Sequence, residues 1–463
     1  MYDGTRVTVM GLGVHGGAIG TIRWLAEQGA QVTVTDLKTD ADLRDTVNAL
    51  KDVKNIRWVL GKHDPADFTN VDMVVRNPAV PRKSSFLEMA RAAGVPVEMD
   101  SSLFFKHCPS RFIVGVTGSK GKTTTTNALG IVLKALDEQT VVVGVEGTSP
   151  LGELKVITTD TPVVFELSSW RLEALDEYHL SPHIAVATSL YRDHLNTYAS
   201  FEEYIEMKKT IVRYQTADDI AVLNGDDPLL RRWAPDIHGA LYWYAMTDLG
   251  SEQGIGVRDG LVTIFQDGKT EPLLPLAELP LASVHERRNL LPAIFVAYRH
   301  GVPVEKIKAQ LHRIRPLPHR LEPVRTLNDV TYINDSTATM PDATIAAIKA
   351  LGSTSLVILV GGSDKKLLFD DVAQALAQAN IRTLIFLPGT ATAPMKEKIL
   401  AQNPGLPFTD AATMQEAVRL AAAAAQPGDT VLLSPGATSF GLFQHEFDRG
   451  NQFRAAVLAL PST

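Results

Sequence analysis

The residues with the clearest potential for chemistry form a loop rich in glycine and lysine at positions 118–124, with the sequence GSKGKTT. An apolar run at 112–116 predicts a strand before the loop, and a helix is predicted after it, from about residue 122 to 135. The backbone N–H groups of such a loop can cradle phosphate oxygens, and the helix N-terminus adds positive potential. Lys122 would contact the β- and γ-phosphates, and the hydroxyl of Thr123 or Thr124 would bind Mg²⁺. The loop therefore predicts a nucleoside triphosphate site.

This loop departs from the general phosphate-loop pattern in one place. The pattern has glycine where Val116 stands, whereas Gly115 comes one position early. The alternative interpretation is a simple glycine turn between a strand and a helix, with Lys122 in solvent. The flanking strand and helix favour the phosphate site.

A second glycine-rich segment, GLGVHG at 11–16, also follows a predicted strand. Asp36 ends the next predicted strand, 20 residues past Gly16, which is the spacing of a dinucleotide-binding fingerprint. The carboxylate of Asp36 could accept a hydrogen bond from a ribose hydroxyl. Tight packing of a helix on a strand, without any ligand, would explain the same glycines.

Several polar residues follow other predicted strands. Glu166 ends the run VVFE, and a carboxylate at this place could hold Mg²⁺ directly or through water. His194 follows the strand predicted at 184–188, although a lone histidine is more often structural. Lys208 and Lys209 lie on the next predicted helix, where adjacent lysines usually face solvent.

Three polar loops near the C-terminus also come directly after predicted strands. Their sequences are NDSTAT at 334–339, GGSDK at 361–365 and SPGATS at 434–439. Ligands of open parallel sheets gather outside the carboxyl ends of the strands, so the three loops could form one wall of a substrate site. Each loop taken singly could be an ordinary turn.

The elements that must position these residues alternate between strands and helices along most of the 463-residue chain. This rhythm predicts an α/β fold of three domains, each with a parallel sheet covered by helices. The first and last would be Rossmann-like, and the central one a phosphate-loop ATPase with a β-rich part at 240–275. Proline punctuates RPLPHR at 315–320 and marks a linker. The predicted bounds are 1–109, 110–315 and 316–463.

Composition excludes several classes of protein. The chain is 45% hydrophobic and 21% charged, which is typical of a globular protein, and its net charge of −7 disfavours nucleic-acid binding. Cys108 is the single cysteine, so the chain has no internal disulfide, and this fits a reducing compartment. We recognise neither a signal peptide nor an apolar run long enough to span a membrane.

Taken together and in order, these motifs resemble those of the Mur ligases over nearly the whole chain. The motifs are the GxG start, the loop at 118–124, ELSS at 166–169, DH at 193–194, LPHR at 317–320, NDS at 334–336, SP at 434–435 and RGNxF at 449–453. The resemblance implies a cytoplasmic enzyme of peptidoglycan synthesis, acting as a monomer on small molecules. ATP would phosphorylate the carboxylate of UDP-N-acetylmuramoyl-L-alanine, and the amine of D-glutamate would then attack the acyl phosphate.

The resemblance also implies roles for individual residues. Those that would bind ATP are Gly118, Ser119, Lys120, Gly121, Lys122, Thr123, Thr124, Asn289, Arg320 and Asp335. Those that would bind the UDP-linked substrate are Val14, His15, Asp36, Lys38 and Ser168, and those that would bind glutamate are Thr339, Lys365 and Ser439. Magnesium, expected as two ions, would be held by Thr123, Glu166, His194 and Lys208, with Lys208 carbamylated and Lys209 as the second choice. Catalysis would depend on Lys122, His194 and Lys208.

Some residues depart from the family pattern and leave alternatives open. These departures are Val145, Arg171, Glu286, Thr337 and Glu446, where asparagine, glutamine, asparagine, lysine and an aromatic residue are common. The incoming amino acid could therefore be another, such as L-glutamate. Two less favoured hypotheses are a nicotinamide oxidoreductase, based on residues 11–16 and Asp36, and a nucleotide-dependent binding module without catalysis.

Overall fold

The computed structural model describes residues 1–13, 18–145, 148–192, 197–281, 283–364 and 367–461. The chain forms two compact units. One comprises Met1–Pro280 with Val284–Ile314, and the other comprises Leu281–Ser283 with Arg315–Thr463. The first unit contains two β-sheets and the second contains one, within the described ranges. The three sheets confirm the predicted α/β fold class.

The first sheet is a parallel sheet of Rossmann type. Its strands are β1 (Arg6–Met10), β2 (Gln31–Asp36), β3 (Ile56–Leu60), β4 (Met73–Arg76) and β5 (Val97–Glu98). Its helices are α1 (Ile19–Glu27), α2 (Arg44–Asn48), α3 (Ala66–Thr69), α4 (Ser85–Ala92) and α5 (Asp100–His107). The order is β3-β2-β1-β4-β5. The glycine-rich segment 11–16 therefore follows the central strand, β1, in sequence. Val7 and Val9 are buried on one face of that strand and anchor it in the core.

The second sheet carries the lysine-rich loop. Its strands are β6 (Ile113–Thr117), β7 (Val141–Val143), β8 (Val163–Glu166), β9 (Ile184–Ala187), β10 (Ile220–Asn224), β11 (Ala240–Tyr244), β12 (Gly254–Arg258), β13 (Leu261–Gln266) and β14 (Lys269–Pro275). Its helices are α6 (Lys122–Val132), α7 (Pro150–Glu153), α8 (Ser169–Glu177), α9 (Phe201–Arg213), α10 (Pro228–Arg231), α11 (Val284–Arg299) and α12 (Val304–Leu311). The order is β14-β13-β12-β11-β10-β9-β6-β8-β7, with antiparallel pairing only from β12 to β14 among these strands. Strand β6 therefore lies between β8 and β9, and the polar residues that follow all three strands emerge at one edge.

The third sheet belongs to the second unit. Its strands are β15 (Glu322–Leu327), β16 (Val330–Asn334), β17 (Leu356–Gly361), β18 (Ile381–Leu387), β19 (Phe408–Asp410) and β20 (Thr430–Leu433). Its helices are α13 (Pro341–Leu351), α14 (Asp370–Gln378), α15 (Thr392–Gln402), α16 (Met414–Ala424) and α17 (Glu446–Leu458). The order is β15-β16-β20-β17-β18-β19, and only the edge strand β15 runs antiparallel to its neighbour. The polar loops after β16, β17 and β20 come from three adjacent strands.

Some elements differ from the sequence prediction. The strand predicted at 95–97 is Val97–Glu98 in the structure, because Pro96 has no N–H to donate to the ladder. Strands β3, β15 and β19 were not predicted. In β15 all six residues are at least partly exposed, so the strand lacks the buried alternation that marks a strand in sequence.

Short 3₁₀ turns also connect elements of the first unit, at Leu133–Ala135, Leu154–Val156, Ala234–Asp236 and Leu276–Glu278. None of the helices in the described ranges combines the length and the apolar character needed to cross a bilayer.

Candidate active site

The loop between β6 and α6 adopts a conformation that only glycine permits at two positions. Gly118 has φ +147° and Gly121 has φ +90°, in the region that L side chains rarely adopt. A Cβ atom on Gly118 would lie 1.9 Å from Thr188 Oγ1, and one on Gly121 would lie 2.7 Å from Asn289 Oδ1. The loop is therefore pressed between the end of β9 and helix α11, and Gly121 caps the N-terminus of α6.

Two lysine ammonium groups converge on a single carbonyl in this loop. Lys122 Nζ donates to the carbonyl oxygen of Gly118 at 3.0 Å and to that of Ser119 at 3.3 Å. Lys208 Nζ, from helix α9, donates to the same Gly118 oxygen at 2.9 Å. The side chain of Lys208 is 1% exposed, whereas Lys209 pairs with Asp236 at the surface. Lysine side chains beside a helix N-terminus are an arrangement that favours an anion such as a triphosphate.

Residues after β9 shape the loop, although sequence analysis gave them no role. Ser189 accepts a hydrogen bond from Ser119 N on its carbonyl at 2.7 Å and one from Lys120 N on its hydroxyl oxygen at 3.0 Å. Thr188 Oγ1 donates to the Lys120 carbonyl at 2.5 Å. The available signal was their place directly after a buried strand, where polar residues of a parallel sheet gather.

Helix α9 and helix α11 hold the loop from two other sides. Tyr204, fully buried on α9, has its hydroxyl 3.1 Å from Ser119 Oγ and its ring centroid 4.7 Å from Lys208 Nζ. Thr125 Oγ1 donates to the Asn289 carbonyl at 3.0 Å. The amide of Asn289 lies over Gly121, and its predicted contact with the nucleotide stays a prediction.

Glu166 provides the test of whether this site fits a metal ion. Its Oε2 atom is buried and has no hydrogen-bond donor among the described residues. A buried carboxylate oxygen without a donor is costly unless a cation compensates it. Because β8 neighbours β6, this oxygen lies at the same sheet edge as the loop that carries Thr123. Carboxylate and hydroxyl oxygens are ligands that Mg²⁺ prefers, so these residues fit the ion.

In the first sheet, the carboxylate of Asp36 accepts hydrogen bonds from the glycine-rich loop that follows β1. Asp36 Oδ2 accepts from the N–H groups of Leu12 at 2.8 Å and Gly13 at 3.3 Å, and Oδ1 accepts from Lys38 N at 2.9 Å. The carboxylate thus orders the loop that leaves β1. Its predicted contact with the ribose of a substrate stays a prediction.

In the second unit, a buried arginine joins two of the polar loops. Arg449, on α17, donates to Ser336 Oγ at 3.0 Å, to the Ser336 carbonyl at 2.7 Å and to the Ala437 carbonyl at 3.0 Å. Its side chain is completely buried, and this desolvation lowers the pKa of the guanidinium to about 10. Asp335 accepts from Ser434 Oγ at 2.8 Å and from Leu321 N at 3.2 Å. The loops after β16 and β20 are therefore fixed to each other.

The predicted ligand-binding residues of this unit differ in their exposure. Ser439 Oγ is buried without a hydrogen-bond partner among the described residues, and Thr339 is partly exposed. Arg320 follows the linker and is also partly exposed. Thr337 Oγ1 donates to the His319 carbonyl at 2.8 Å. The lysine that is common at this position in the family would carry a positive charge, which threonine lacks.

Comparison with known proteins decides the family. Three models match the chain in order: the Mur ligase MurD-like N-terminal domain at 5–98, the Mur ligase middle domain at 116–297 and the Mur ligase glutamate ligase domain at 319–436. The chain belongs to the Mur ligase family. Mur ligases are ATP-dependent ligases and generally use Mg²⁺, and the lysine-rich loop, Glu166, Lys208 and Asn289 all lie within the middle-domain match.

Curated relatives of this Mur ligase align over nearly its entire length. It is 42% identical to the UDP-N-acetylmuramoylalanine–D-glutamate ligase of Roseiflexus sp. (strain RS-1), with 98% of each chain covered. It is 35% identical to the protein of the same name in Symbiobacterium thermophilum, again with 98% of each covered. These matches favour the ligase over the oxidoreductase and the binding module.

Solved structures show that the fold is shared. UDP-N-acetylmuramate-alanine ligase MurC from Thermotoga maritima superposes with a TM-score of 0.64 at 18% identity, covering 98% of this chain and 99% of that one. A pseudomurein peptide ligase type C from Methanothermus fervidus gives a TM-score of 0.59 at 18% identity, with the same coverage. At such identities the likeness concerns the fold alone.

Four predicted site residues of this Mur ligase lie outside the described residues: Val14, His15, His194 and Lys365. Their roles stay predictions. Within the described ranges, no three acidic, histidine or cysteine side chains cluster as a complete metal site. The predicted set includes His194, so this finding does not test it.

Proposed function

We propose that this Mur ligase adds D-glutamate to UDP-N-acetylmuramoyl-L-alanine in an ATP-dependent reaction of peptidoglycan synthesis. The single observation that carries the proposal is the pair of ammonium groups, Lys122 and Lys208, on the glycine loop that opens α6. The relatives named for this reaction, aligned over 98% of the chain, support the choice of substrates.

The reaction proceeds in two steps. A carboxylate oxygen of the alanyl group attacks the γ-phosphorus of ATP, the bond between this phosphorus and the bridging oxygen breaks, and ADP leaves. The amine nitrogen of D-glutamate then attacks the carbonyl carbon of the acyl phosphate. The tetrahedral intermediate expels phosphate, the nitrogen loses a proton, and an amide remains. The protein contributes position and charge rather than a covalent bond.

The residues of the loop hold the nucleotide for the first step. The N-terminus of α6, with the backbone N–H groups of Gly121 to Thr124, would face the phosphates, since the N–H groups of Ser119 and Lys120 already donate to Ser189. The ammonium group of Lys122 would neutralise the charge that develops on the transferring phosphoryl group. Asn289, Arg320 and Asp335 would contact the remainder of ATP. Thr123 and Glu166 would hold Mg²⁺, and the chemistry that the ion supplies when bound is neutralisation of phosphate charge.

Lys208 is also proposed to bind metal, after carbamylation of its side chain. We propose two magnesium ions and a carbamate on Lys208, which converts a cation into an anionic oxygen ligand, with His194 as a further ligand. The burial of Lys208 beside Gly118 supports Lys208 over Lys209, which lies against Asp236 at the surface.

The remaining proposed contacts concern the two other substrates. Val14, His15, Asp36, Lys38 and Ser168 would bind the UDP-linked substrate; Ser168 caps the N-terminus of α8. Thr339, Lys365 and Ser439 would bind glutamate. The Ser439 hydroxyl, which has no hydrogen-bond partner among the described residues, supports this position. We further propose domains at 1–109, 110–315 and 316–463, a monomer and a cytoplasmic location.

Phosphate release with a panel of amino acids tests the function. The protein is incubated with ATP, Mg²⁺ and UDP-N-acetylmuramoyl-L-alanine, with D-glutamate, L-glutamate or another amino acid in separate reactions. We expect release that requires both the UDP-linked substrate and D-glutamate. If phosphate is released with L-glutamate and not with D-glutamate, the incoming amino acid is L-glutamate. If phosphate is released with none of the amino acids, the ligase proposal is overturned.

A further inference from the structure

Two hydroxyl groups that follow β9 converge on the backbone carbonyl of Lys120, in the loop at 118–124, which we call the phosphate loop. Thr188 Oγ1 donates to this carbonyl oxygen at 2.5 Å, and Ser189 Oγ lies 3.0 Å from it. Thr188 and Ser189 are only 1% and 3% exposed. A buried carbonyl that is bound by two hydroxyl groups is held firmly in one direction.

These contacts belong to a longer run of hydrogen bonds between the phosphate loop and segment 188–191. The Ser119 N–H donates to the Ser189 carbonyl at 2.7 Å, and the Lys120 N–H donates to Ser189 Oγ at 3.0 Å. The Tyr191 N–H donates to Ser119 Oγ at 2.9 Å. The backbone of Ser119 and Lys120 is therefore fixed against segment 188–191 by groups of the chain itself.

Segment 188–191 is in turn anchored by residues at the end of β10. Asn224 Nδ2 donates to the Thr188 carbonyl at 2.8 Å, and the Leu190 N–H donates to Asp227 Oδ2 at 2.8 Å. Asn224 is 1% exposed and Asp227 is 8% exposed. The two hydroxyl groups are thus presented by a buried, hydrogen-bonded part of the second sheet.

The two hydroxyl groups fix the orientation of the peptide unit that joins Lys120 to Gly121. In a trans peptide the C=O and the N–H point in opposite directions, and the described part of the chain has no cis peptide bond. Because the Lys120 carbonyl points to the hydroxyl groups, the Gly121 N–H points away from them. Gly121 has φ +90°, and glycine adopts positive and negative φ about equally, so this peptide unit could turn over without strain at Gly121.

The two orientations of this peptide unit act on an anion in opposite ways. An N–H group attracts a phosphate oxygen, whereas a carbonyl oxygen repels it. The carbonyls of Gly118 and Ser119 accept from Lys122 Nζ, and that of Gly118 also accepts from Lys208 Nζ. With the hydroxyl groups on the next carbonyl, all three carbonyls of residues 118–120 are bound by side-chain donors.

We propose that Thr188 and Ser189 are positioning residues that lock the peptide unit between Lys120 and Gly121, so that its N–H and not its carbonyl faces the triphosphate of ATP. They set the affinity for ATP and not the rate of the chemical steps, because ATP binds only the fraction of molecules in which the peptide unit has this orientation. The inference rests on the proposed function, which supplies ATP as the ligand.

Five variants test the proposal. Thr188→Ala and Ser189→Ala each remove one hydroxyl group, their double variant removes both, and Thr188→Ser keeps the hydroxyl group but loses the methyl group. Thr8→Ala is the matched control. Thr8 lies on β1 in the first sheet, is completely buried, and donates through Oγ1 to the Asp67 carbonyl at 2.6 Å. The control therefore removes the same groups from a buried strand of the other sheet.

Three measurements are made on each variant. Calorimetry with Mg²⁺ and AMP-PNP, a nonhydrolysable analogue of ATP, gives Kd for the nucleotide. Phosphate release gives kcat and the KM of each substrate. Hydrogen exchange of the peptide that contains residues 117–124, followed by mass spectrometry in protein without nucleotide, reports the lock directly, since the Lys120 N–H loses its acceptor in Ser189→Ala.

We expect each alanine variant to raise Kd for AMP-PNP and KM for ATP by about threefold, because the remaining hydroxyl group still binds the Lys120 carbonyl. The double variant should raise both by at least about thirtyfold, more than the product of the single effects, and should exchange the loop amides at least about tenfold faster. In all variants kcat and the KM for the UDP-linked substrate should stay within about twofold of wild type. Thr188→Ser and Thr8→Ala should bind AMP-PNP like wild type.

The proposal is overturned if the double variant keeps the Kd of wild type, if Thr8→Ala loses as much affinity as Thr188→Ala, or if kcat falls while Kd is unchanged. Should the double variant fail to fold, the comparison at position 188 decides, since equal losses in Thr188→Ala and Thr188→Ser would show that the hydroxyl group has no such role. Failure of the proposed function is a separate result. Wild type that binds AMP-PNP but releases no phosphate with any amino acid refutes the ligase, whereas active wild type with an unaffected double variant refutes only this inference.

Discussion

Lys208 Nζ donates a 2.9 Å hydrogen bond to the carbonyl oxygen of Gly118, which lies 90 residues earlier in the chain. The contact brings a buried cation from the middle of α9 to the first residue of the phosphate loop. Burial of an ammonium group is energetically costly. In a carbamate, a carboxylate group replaces a proton on the lysine nitrogen, and this carboxylate is an anionic metal ligand. The position of Lys208 therefore matters for both the loop and the metal.

We expect Lys208→Ala to lose most activity, and short carboxylates added to the buffer to restore part of it, because a small anion can occupy the space of the carbamate. Phosphate release with and without the carboxylate measures this rescue. Lys209→Ala is the control and should stay within about twofold of wild type, since exposed ion pairs contribute little. Full activity of Lys208→Ala would refute the carbamate.

Lys122→Ala should abolish turnover and leave the UDP domain folded. The ammonium group neutralises phosphate charge in the transition state, and its loss should reduce kcat by at least about a thousandfold. Calorimetry with the UDP-linked substrate should show near-normal affinity, since this substrate is proposed to bind at the first sheet. Near-normal turnover in this variant would contradict the role of the loop.

Glu166→Gln should selectively weaken the binding of Mg²⁺. The amide has the shape of the carboxylate but lacks its charge, so the Mg²⁺ concentration for half-maximal activity should rise by at least about tenfold. A titration of phosphate release against Mg²⁺ measures the shift. The same Mg²⁺ requirement in the variant and the wild type would show that the buried Oε2 atom holds no ion.

Gly121→Ala should damage ATP binding through two effects, a strained φ of +90° and a Cβ atom 2.7 Å from Asn289 Oδ1. Gly268→Ala separates them, because Gly268 has φ +71° but, apart from its chain neighbours, no described residue has an atom within 4 Å of a Cβ there. The control should lose about 1 kcal/mol of unfolding free energy and keep its KM for ATP. We expect Gly121→Ala to raise this KM by about tenfold or more; equal kinetics for the two variants would argue against a contact between Gly121 and Asn289 that matters for ATP.

Cys108 should react slowly with alkylating reagents in the folded protein. Burial raises the pKa of its thiol to about 11, so the reactive thiolate is scarce at pH 8. The alkylation rate should be more than about tenfold lower than in denaturant, and it should rise with pH toward pH 11. Mass spectrometry of timed samples measures both rates, and rapid reaction at pH 8 in the folded state would show an accessible thiolate.

The sequence was sufficient to predict the class of fold and the residues that follow buried strands. Glu166, Asp335 and the loop at 118–124 were found because each comes at the carboxyl end of an apolar run, and parallel sheets gather such ends. Local pattern also located α6 and α11. Helices and strand ends depend mainly on residues that are close in sequence, and the spacing of apolar residues indicates them directly.

Contacts between distant segments were beyond sequence reasoning. Arg171 Nη2 donates to Asp100 Oδ2 at 2.8 Å although the two residues lie 71 positions apart, and nothing in either segment indicates its partner. Lys208 and Lys209 are adjacent, and only the packing of α9 buries one and leaves the other near the surface. Strand β15 was missed because an exposed edge strand carries no hydrophobic alternation.

The close approach of Gly20 to Ser149, where a Cβ atom on Gly20 would lie 1.9 Å from Ser149 Oγ, also limits how this enzyme can be recombined. In a chimaera that takes residues 1–109 from another Mur ligase, any side chain larger than hydrogen at position 20 would collide with Ser149, the N-cap residue of α7. Grafted N-terminal segments should therefore be tolerated only when they carry glycine at this position, or when the recipient accepts a smaller residue in place of Ser149.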